Sequence, residues 1–157
     1  KILDIATEFR LTYAMIDEDG IGSGPLDTLN RGRELKQFIG FRNPPIGYKD
    51  NKFYCNPRTI NAYKAKDMFA KGHLRVKNER LIDEMLTIRY EYDNYQRKRL
   101  VSKQKMRSKG IKSPNMADAL LMAVKATERI NKSKYDFRRG ITKPQRGYGW
   151  KLREQYV

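Results

Sequence analysis

Apolar positions open the chain at helical spacing: Ile2, Ile5, Ala6 and Phe9, with Asp4 and Glu8 between them. The spacing predicts a helix over 2–13. It runs into Tyr13-Ala14-Met15-Ile16, a short apolar stretch that stops at Asp17-Glu18-Asp19-Gly20. A buried strand has this look when it delivers acidic residues to the end of a sheet. Gly20, Gly22 and Gly24 predict a tight turn, and Pro25-Leu26-Asp27-Thr28-Leu29 opens a helix with proline near its first turn. Phe38-Ile39-Gly40-Phe41 reads as the next strand, and residues 42–57, with Pro44, Pro45, Gly47 and Pro57, as a long surface loop. Helical spacing resumes in Ile60, Tyr63, Ala65, Met68 and Phe69 and stops at Gly72. Residues 73–76 fit a short strand or an extended link, and Asn78 is an N-cap for a helix carrying Leu81, Ile82, Met85 and Leu86.

The period then changes to two. Ile88, Tyr90 and Tyr92 alternate with Arg89, Glu91 and Asp93, and Asn94-Tyr95-Gln96 turns the chain into Arg97-Lys98-Arg99-Leu100-Val101, the pattern of a β-hairpin. A helix from Ser102 to about Lys109 ends at Gly110. Ser113-Pro114-Asn115 is expected to cap a last helix from Met116 to about Ile130, with Ala117, Leu120, Leu121 and Val124 toward the core. Beyond Asn131 no apolar period remains, so residues 1–131 are expected to form one domain and 132–157 a basic C-terminal tail. Helix, strand, turn, helix, strand is α/β grammar.

Composition adds a partner. Lys and Arg number 34 against 18 Asp and Glu among 157 residues, a formal net charge of +16, while 39% hydrophobic content places that charge on a folded body. The usual partner of such a surface is a polyanion. One Cys and one His exclude an internal disulfide and a Cys/His zinc site. No apolar run approaches the roughly 18 residues of a membrane span, so no membrane partner is expected. From Arg97 to Ser113 the basic residues Arg97, Lys98, Arg99, Lys103, Lys105, Arg107, Lys109 and Lys112 have no acid among them. Such a run is either a solvated face or a phosphate track. His73 and Cys55 are assigned no role.

Two acids stand out. Asp17 ends a buried strand, and Asp118 lies in the first turn of an otherwise apolar helix. Each has a local explanation, Asp17 in capping its own turn and Asp118 in the helix dipole. Together, on a basic surface, they are the hard oxygen ligands that a divalent-metal phosphodiesterase needs. Strand alternation puts Asp19 on the face of Asp17 and Glu18 on the other, so Asp19 is the second choice for the position.

Ile16-Asp17-Glu18-Asp19-Gly20-Ile21-Gly22 resembles the Val-Asp-x-x-Gly-x-Gly segment of bacteriophage terminase large subunits. Ser113-Pro114-Asn115-Met116-Ala117-Asp118-Ala119-Leu120 resembles that family's Ser-Pro-Asp-x-Ala-Asp-Ala-Leu segment, with Asn115 where Asp is usual. The alternating segment 88–93 with its basic return and Ser102-Lys103, and Asn56-Pro57-Arg58-Thr59 opening a helix, are also similar and in order. The resemblance spans about residues 1–130 and implies the C-terminal nuclease part of the family. That is an RNase H-like fold: a mixed sheet flanked by helices, with an inserted β-hairpin. It implies a two-metal endonuclease using Mg²⁺ or Mn²⁺ that cuts concatemeric viral DNA during packaging in the host cytoplasm. The implied partners are double-stranded DNA, an ATPase domain, a small terminase subunit and a portal. No Gly-x-x-x-x-Gly-Lys-Ser/Thr pattern is present, so no ATPase activity is expected of these residues.

Of the family's three acids, Asp17 carries over to the second motif and Asp118 to the third. The first belongs on a strand ahead of the opening helix, and nothing before Lys1 supplies it. The N-terminal strands of the fold are therefore expected to be absent from this chain, and the fragment to be inactive for want of that acid. A different class, a non-catalytic DNA-binding or motor- or portal-docking domain, stays open; it differs in needing no metal. A Holliday-junction resolvase or transposase on the same fold is a third option, which the Ala-Asp-Ala-Leu context disfavours.

Overall fold

The computed structural model describes residues 1–19, 23–31 and 37–139, with side chains through residue 128. Gly20 and Gly22 of the expected glycine turn, and residues 140–157 of the expected tail, lie outside the described residues.

α1 spans Ile2–Glu8, shorter than the apolar spacing predicts. Arg10 takes φ +47°, and the Leu11 N–H donates to the Ala6 carbonyl (3.0 Å), which closes the helix end. Only Ala6 of this helix is buried; Ile2, Ile5 and Phe9, which share its apolar spacing, are exposed. β1 (Ala14–Asp17) follows, then α2 (Ser23–Asn30), which begins before Pro25 and takes Gly24 into its first turn rather than into the preceding turn. β2 (Phe38–Phe41) lies parallel to β1, with Ala14 opposite Phe38 and Asp17 opposite Phe41. A parallel pair needs a crossover, and α2 supplies it by packing on β2. Gly40 leaves room for the Glu18 side chain to cross it: a Cβ there would meet the Glu18 carboxylate and force that side chain to shift.

α3 (Pro57–Ala70) starts at a cap in which the Asn56 side chain accepts from the Thr59 N–H (2.9 Å) and hydroxyl (2.7 Å). Gly72 follows it at φ +69°, a left-handed position that glycine occupies without strain. Residues 74–78 are an extended link, and Asn78 caps α4 (Glu79–Thr87) through the Leu81 N–H (3.0 Å). Ile82 and Leu86 of α4 face solvent. β3 (Tyr90–Tyr92) pairs antiparallel with β4 (Lys98–Leu100). Among the described residues the strands therefore form two two-stranded sheets rather than one mixed sheet. α5 (Lys103–Ser108) is capped by Ser102, and α6 (Asn115–Arg139) closes the described chain. The last helix thus continues past 131, through residues expected to belong to a tail.

α6 is the axis of the core. It packs on α3, α4 and β1, and Leu121 and Val124 meet Ala65 of α3 and Leu100 of β4 in one buried cluster. Thr59, fully buried, fastens β4 to α3: its hydroxyl accepts from the Leu100 N–H (3.1 Å).

Arg97 corrects the sequence reading. Expected on a phosphate track, it is 6% exposed. Its guanidinium donates to Asp93 (2.8 Å) and, through Nη1, to the carbonyls of Ile46 (2.7 Å) and Asn51 (3.3 Å). It clamps the loop over residues 42–56 and is unavailable to a phosphate. Burial alone would push the Asp93 carboxyl up, but backbone and side-chain hydrogen bonds from Arg97 outweigh it and hold the group below the ordinary 3.8. A carboxyl depressed in the folded state contributes stability above that ordinary value and loses it as pH falls through the lower one. The Tm of the wild type should therefore drop more between pH 5 and pH 2 than that of Asp93→Asn, as followed by circular dichroism.

Candidate active site

β1 ends at Asp17, where the chain leaves the sheet. Asp17 Oδ1 accepts from the Asp19 N–H (3.2 Å), a local turn that both sequence alternatives share. Asp19 Oδ2 in turn accepts from the Asn43 N–H (3.2 Å), just past the end of β2. Asn43 Oδ1 accepts from the Arg58 N–H (2.8 Å) in the first turn of α3. The Arg58 side chain crosses to α6, where Nε donates to Asp118 Oδ1 (2.8 Å), and its Nη1 donates to the Val101 carbonyl (3.2 Å). Lys103 Nζ completes the chain, 2.9 Å from Asp118 Oδ2. The elements bearing Asp17 and Asp118 are packed together, and one polar relay joins the two acids and the second-choice Asp19. Glu18 points away, as alternation requires. It reaches over Gly40 to Arg42 (2.7 Å), whose hydrogen bond holds the Glu18 carboxyl below its usual range.

The two ends of the relay differ in environment. Asp17 and Asp19 are exposed, whereas the Asp118 and Arg58 side chains are 11% and 14% exposed. Asp118 Oδ2 is buried without a hydrogen bond of acceptable geometry, so Lys103 supplies it charge rather than a directed bond. Arg58 Nη2 is likewise buried without an acceptor. Two cations thus converge on one carboxylate that lies at the edge of the core.

The N-terminus of α6 corrects a second expectation. Asn115 and Ser113 do not cap it. Glu84 of α4 does, accepting from the N–H groups of Met116 (2.7 Å) and Ala117 (3.1 Å), while the Ser113 hydroxyl accepts from Arg107 Nε (3.2 Å). Asp118 is therefore not needed as a dipole cap and is committed to Arg58. Sequence reasoning missed Arg58, Asn43 and Glu84. One sign of Arg58 was legible: a cation in the first turn of a helix works against the dipole, and α3 has no acid there to balance it.

The basic run is less free than its composition implies. Arg99 donates to Glu91 (2.8 Å), and Lys105 also pairs with Glu91, whose carboxyl is held below its usual range by Lys105 and Arg99. Lys98 lies over the Tyr63 ring (4.8 Å). Lys103 serves Asp118. Lys109 and Lys112 are exposed, and Arg107 is exposed apart from its bond to Ser113. Among the described residues no three Asp, Glu, His or Cys side chains converge on a metal position.

No family model and no curated protein sequence matches the chain. Solved structures do. The nuclease domain of the large terminase subunit of bacterial virus Sf6 superposes with TM-score 0.63 at 21% identity, over 77% of this chain and 68% of that one. A lysine-to-alanine variant of that domain solved with manganese gives TM-score 0.64, 21% identity and coverage of 77% and 69%. The variant with calcium gives 0.64, 21%, and coverage of 77% and 68%. The chain has the fold of a terminase nuclease domain. Within this terminase nuclease fold, the relay described above runs from the end of β1 to the first turn of α6.

Removing Arg58 strands a buried carboxylate. Arg58→Ala should lower the free energy of unfolding by about 3–5 kcal/mol. Lys103→Ala, taken from a half-exposed site, should cost about 1 kcal/mol or less. Urea denaturation of both variants measures the contrast, and equal losses would remove Arg58 from its central position.

Proposed function

We propose that the chain is the nuclease part of a viral DNA-packaging terminase, a metal-dependent hydrolase of phosphodiester bonds in concatemeric DNA. The observation that carries this is the relay joining Asp17 to Asp118 within a terminase nuclease fold. The manganese and calcium in the Sf6 domain structures support divalent-metal binding by a domain of this fold. The donor set of this chain fits such an ion in kind: Asp17 and Asp19 are exposed carboxylates, and Asp118 Oδ2 has no hydrogen bond. The family resemblance implies a third carboxylate on a further strand of an RNase H-like sheet. Asp17 and Asp118 would hold the metal, with Asp19 beside them. Two Mg²⁺ or Mn²⁺ ions, when bound, supply an activated water and neutralise charge on the phosphate.

The residues of this chain prepare that chemistry. Arg58 fixes the Asp118 carboxylate by holding Oδ1, so that Oδ2 is the oxygen left to serve as a ligand. Asn43 holds Arg58 and Asp19 at once, which couples the two sides of the site. Lys103 places its positive charge 2.9 Å from Asp118 Oδ2, where a metal would compete with it. Lys109 and Lys112, with Arg107, grip duplex phosphates and read no sequence, which suits cutting at many sequences. In the full protein the partners are an ATPase domain, the small terminase subunit and the portal, at virus assembly in the host cytoplasm.

One observation favours a second reading. Asp118 already has two cations, as a structural strut would, and the domain would then be a metal-independent DNA-binding module. Cleavage of plasmid DNA in Mn²⁺ or Mg²⁺ by a polypeptide that restores the upstream acid should disappear in Asp118→Asn, which keeps an oxygen for Arg58. Persistent cleavage in that variant sinks the role of Asp118, and chelator-independent DNA binding without any cleavage selects the second reading. On the basic face, replacing Lys109 and Lys112 with Gln should reduce the slope of log affinity against log salt by about 0.9 for each phosphate that is no longer neutralised. Affinity measured across a salt series reads this directly.

A further inference from the structure

Five aromatic side chains form a continuous series from the loop before α3, across α3, to strand β3. Phe53 meets Tyr54 (6.5 Å between ring centroids), Tyr54 meets Tyr63 (4.9 Å), Tyr63 meets Tyr90 (6.4 Å), and Tyr90 meets Tyr92 (5.7 Å). The middle of the series is anchored: Tyr54 and Tyr63 are half-buried, and burial pushes both phenol groups above their ordinary value. Its ends are open, with Phe53, Tyr90 and Tyr92 at 60%, 52% and 54% exposure. A soluble surface has no reason of stability to display three large rings in one row.

The register explains the row and its charge. Tyr90 and Tyr92 are two residues apart and so share a face of β3, and Lys98 pairs opposite Tyr92 on the same face. Lys98 Nζ lies 4.8 Å from the Tyr63 centroid and 5.9 Å from that of Tyr90, and Lys66 of α3 lies 6.0 Å from Tyr63. Glu91 projects to the opposite face, where Arg99 and Lys105 hold it, and Asp93 is consumed by Arg97. Asp67 is the acid near Tyr54. The row therefore combines exposed rings with ammonium groups at close spacing, and the ribbon's own acids are turned away or paired.

A duplex hides its base faces and offers this row only phosphates. An unpaired strand offers both: bases stack on aromatic rings irrespective of sequence while cations meet the backbone. A protein partner would be favoured by the rings but not by the ammonium groups among them. We propose that the Phe53–Tyr92 row is a binding site for single-stranded nucleic acid. The row shares no residue with the Asp17–Asp118 relay and requires neither metal nor cleavage, so it stands or falls apart from the nuclease reading.

The test is fluorescence anisotropy of labelled dodecamers in chelator, with the 157-residue chain. Oligothymidylate should bind more tightly than an abasic dodecamer of the same charge, by roughly tenfold or more for a few stacked bases. Tyr92→Leu and Tyr90→Leu should each weaken oligothymidylate binding about five- to hundredfold, the range spanned by loss of one base–aromatic stack. Binding of the abasic strand should not change in these variants. Tyr92→Phe should retain wild-type affinity, because stacking uses the ring face and not the hydroxyl. Lys98→Gln should weaken both strands alike and lower the salt slope by about 0.7. Equal binding of the two strands by the wild type, or no binding of either at low salt, overturns the proposal. Unchanged affinity in both leucine variants overturns it equally and leaves the row to a protein partner.

Discussion

The ion pair between Arg58 and Asp118 is the constraint on which the arrangement turns. Two charges are withdrawn from most of their water, and their mutual attraction offsets that loss only if the geometry is good and other polar atoms are satisfied. The chain meets the condition from several directions at once. Asn43 holds the Arg58 backbone, the Val101 carbonyl takes Nη1, and Lys103 brings a second positive charge to the carboxylate. Each contact comes from a different segment, so the pair can form only when the end of β2, the start of α3, the end of β4 and the start of α6 have all arrived. An unmet pair in a half-assembled chain would be costly, which ties formation of the site to completion of the core.

The same logic explains why α6 is so apolar on one side and so specifically polar at its start. Ala117, Leu121 and Val124 are buried against α3, α4 and β1, and they set the helix in place by area alone. Area does not fix rotation or axial position tightly. Glu84 at the N–H groups of Met116 and Ala117, and Arg58 at Asp118, supply directional contacts that do.

Much of this was visible in the residue pattern, and the failures share a cause. The cap at Asn78, the helix starts near Asn56 and Ser102, the strand segments near 14–17 and 38–41, and the helix stop at Gly72 follow from local chemistry and are read locally. The acids at Asp17 and Asp118 stood out because a charge interrupts an apolar segment. What could not be read was partnership across distance. Arg97 looked like one of eight equivalent cations, and only its position against Asp93 and two loop carbonyls makes it a buried clamp. Glu91 cancels part of the basic run from outside it. The apolar stripe of α1 obeyed the helical period, yet period says nothing about whether a neighbour exists to cover it.

The clamp at Arg97 has a consequence for how this molecule can vary. It grips the loop over 42–56 by the carbonyls of Ile46 and Asn51, and a carbonyl is present whatever the side chain. The identity of Ile46 is therefore free to drift as far as the clamp is concerned, whereas Asn51 is also held by its side chain, which accepts from the N–H groups of Phe53 (2.9 Å) and Tyr54 (2.8 Å). The number of residues between Ile46 and Asn51, and between Asn43 and Arg58, is not free, because one insertion would move the gripped carbonyls and drag Asn43 away from Arg58. Among relatives Ile46 should change its letter readily, and the loop its length hardly at all.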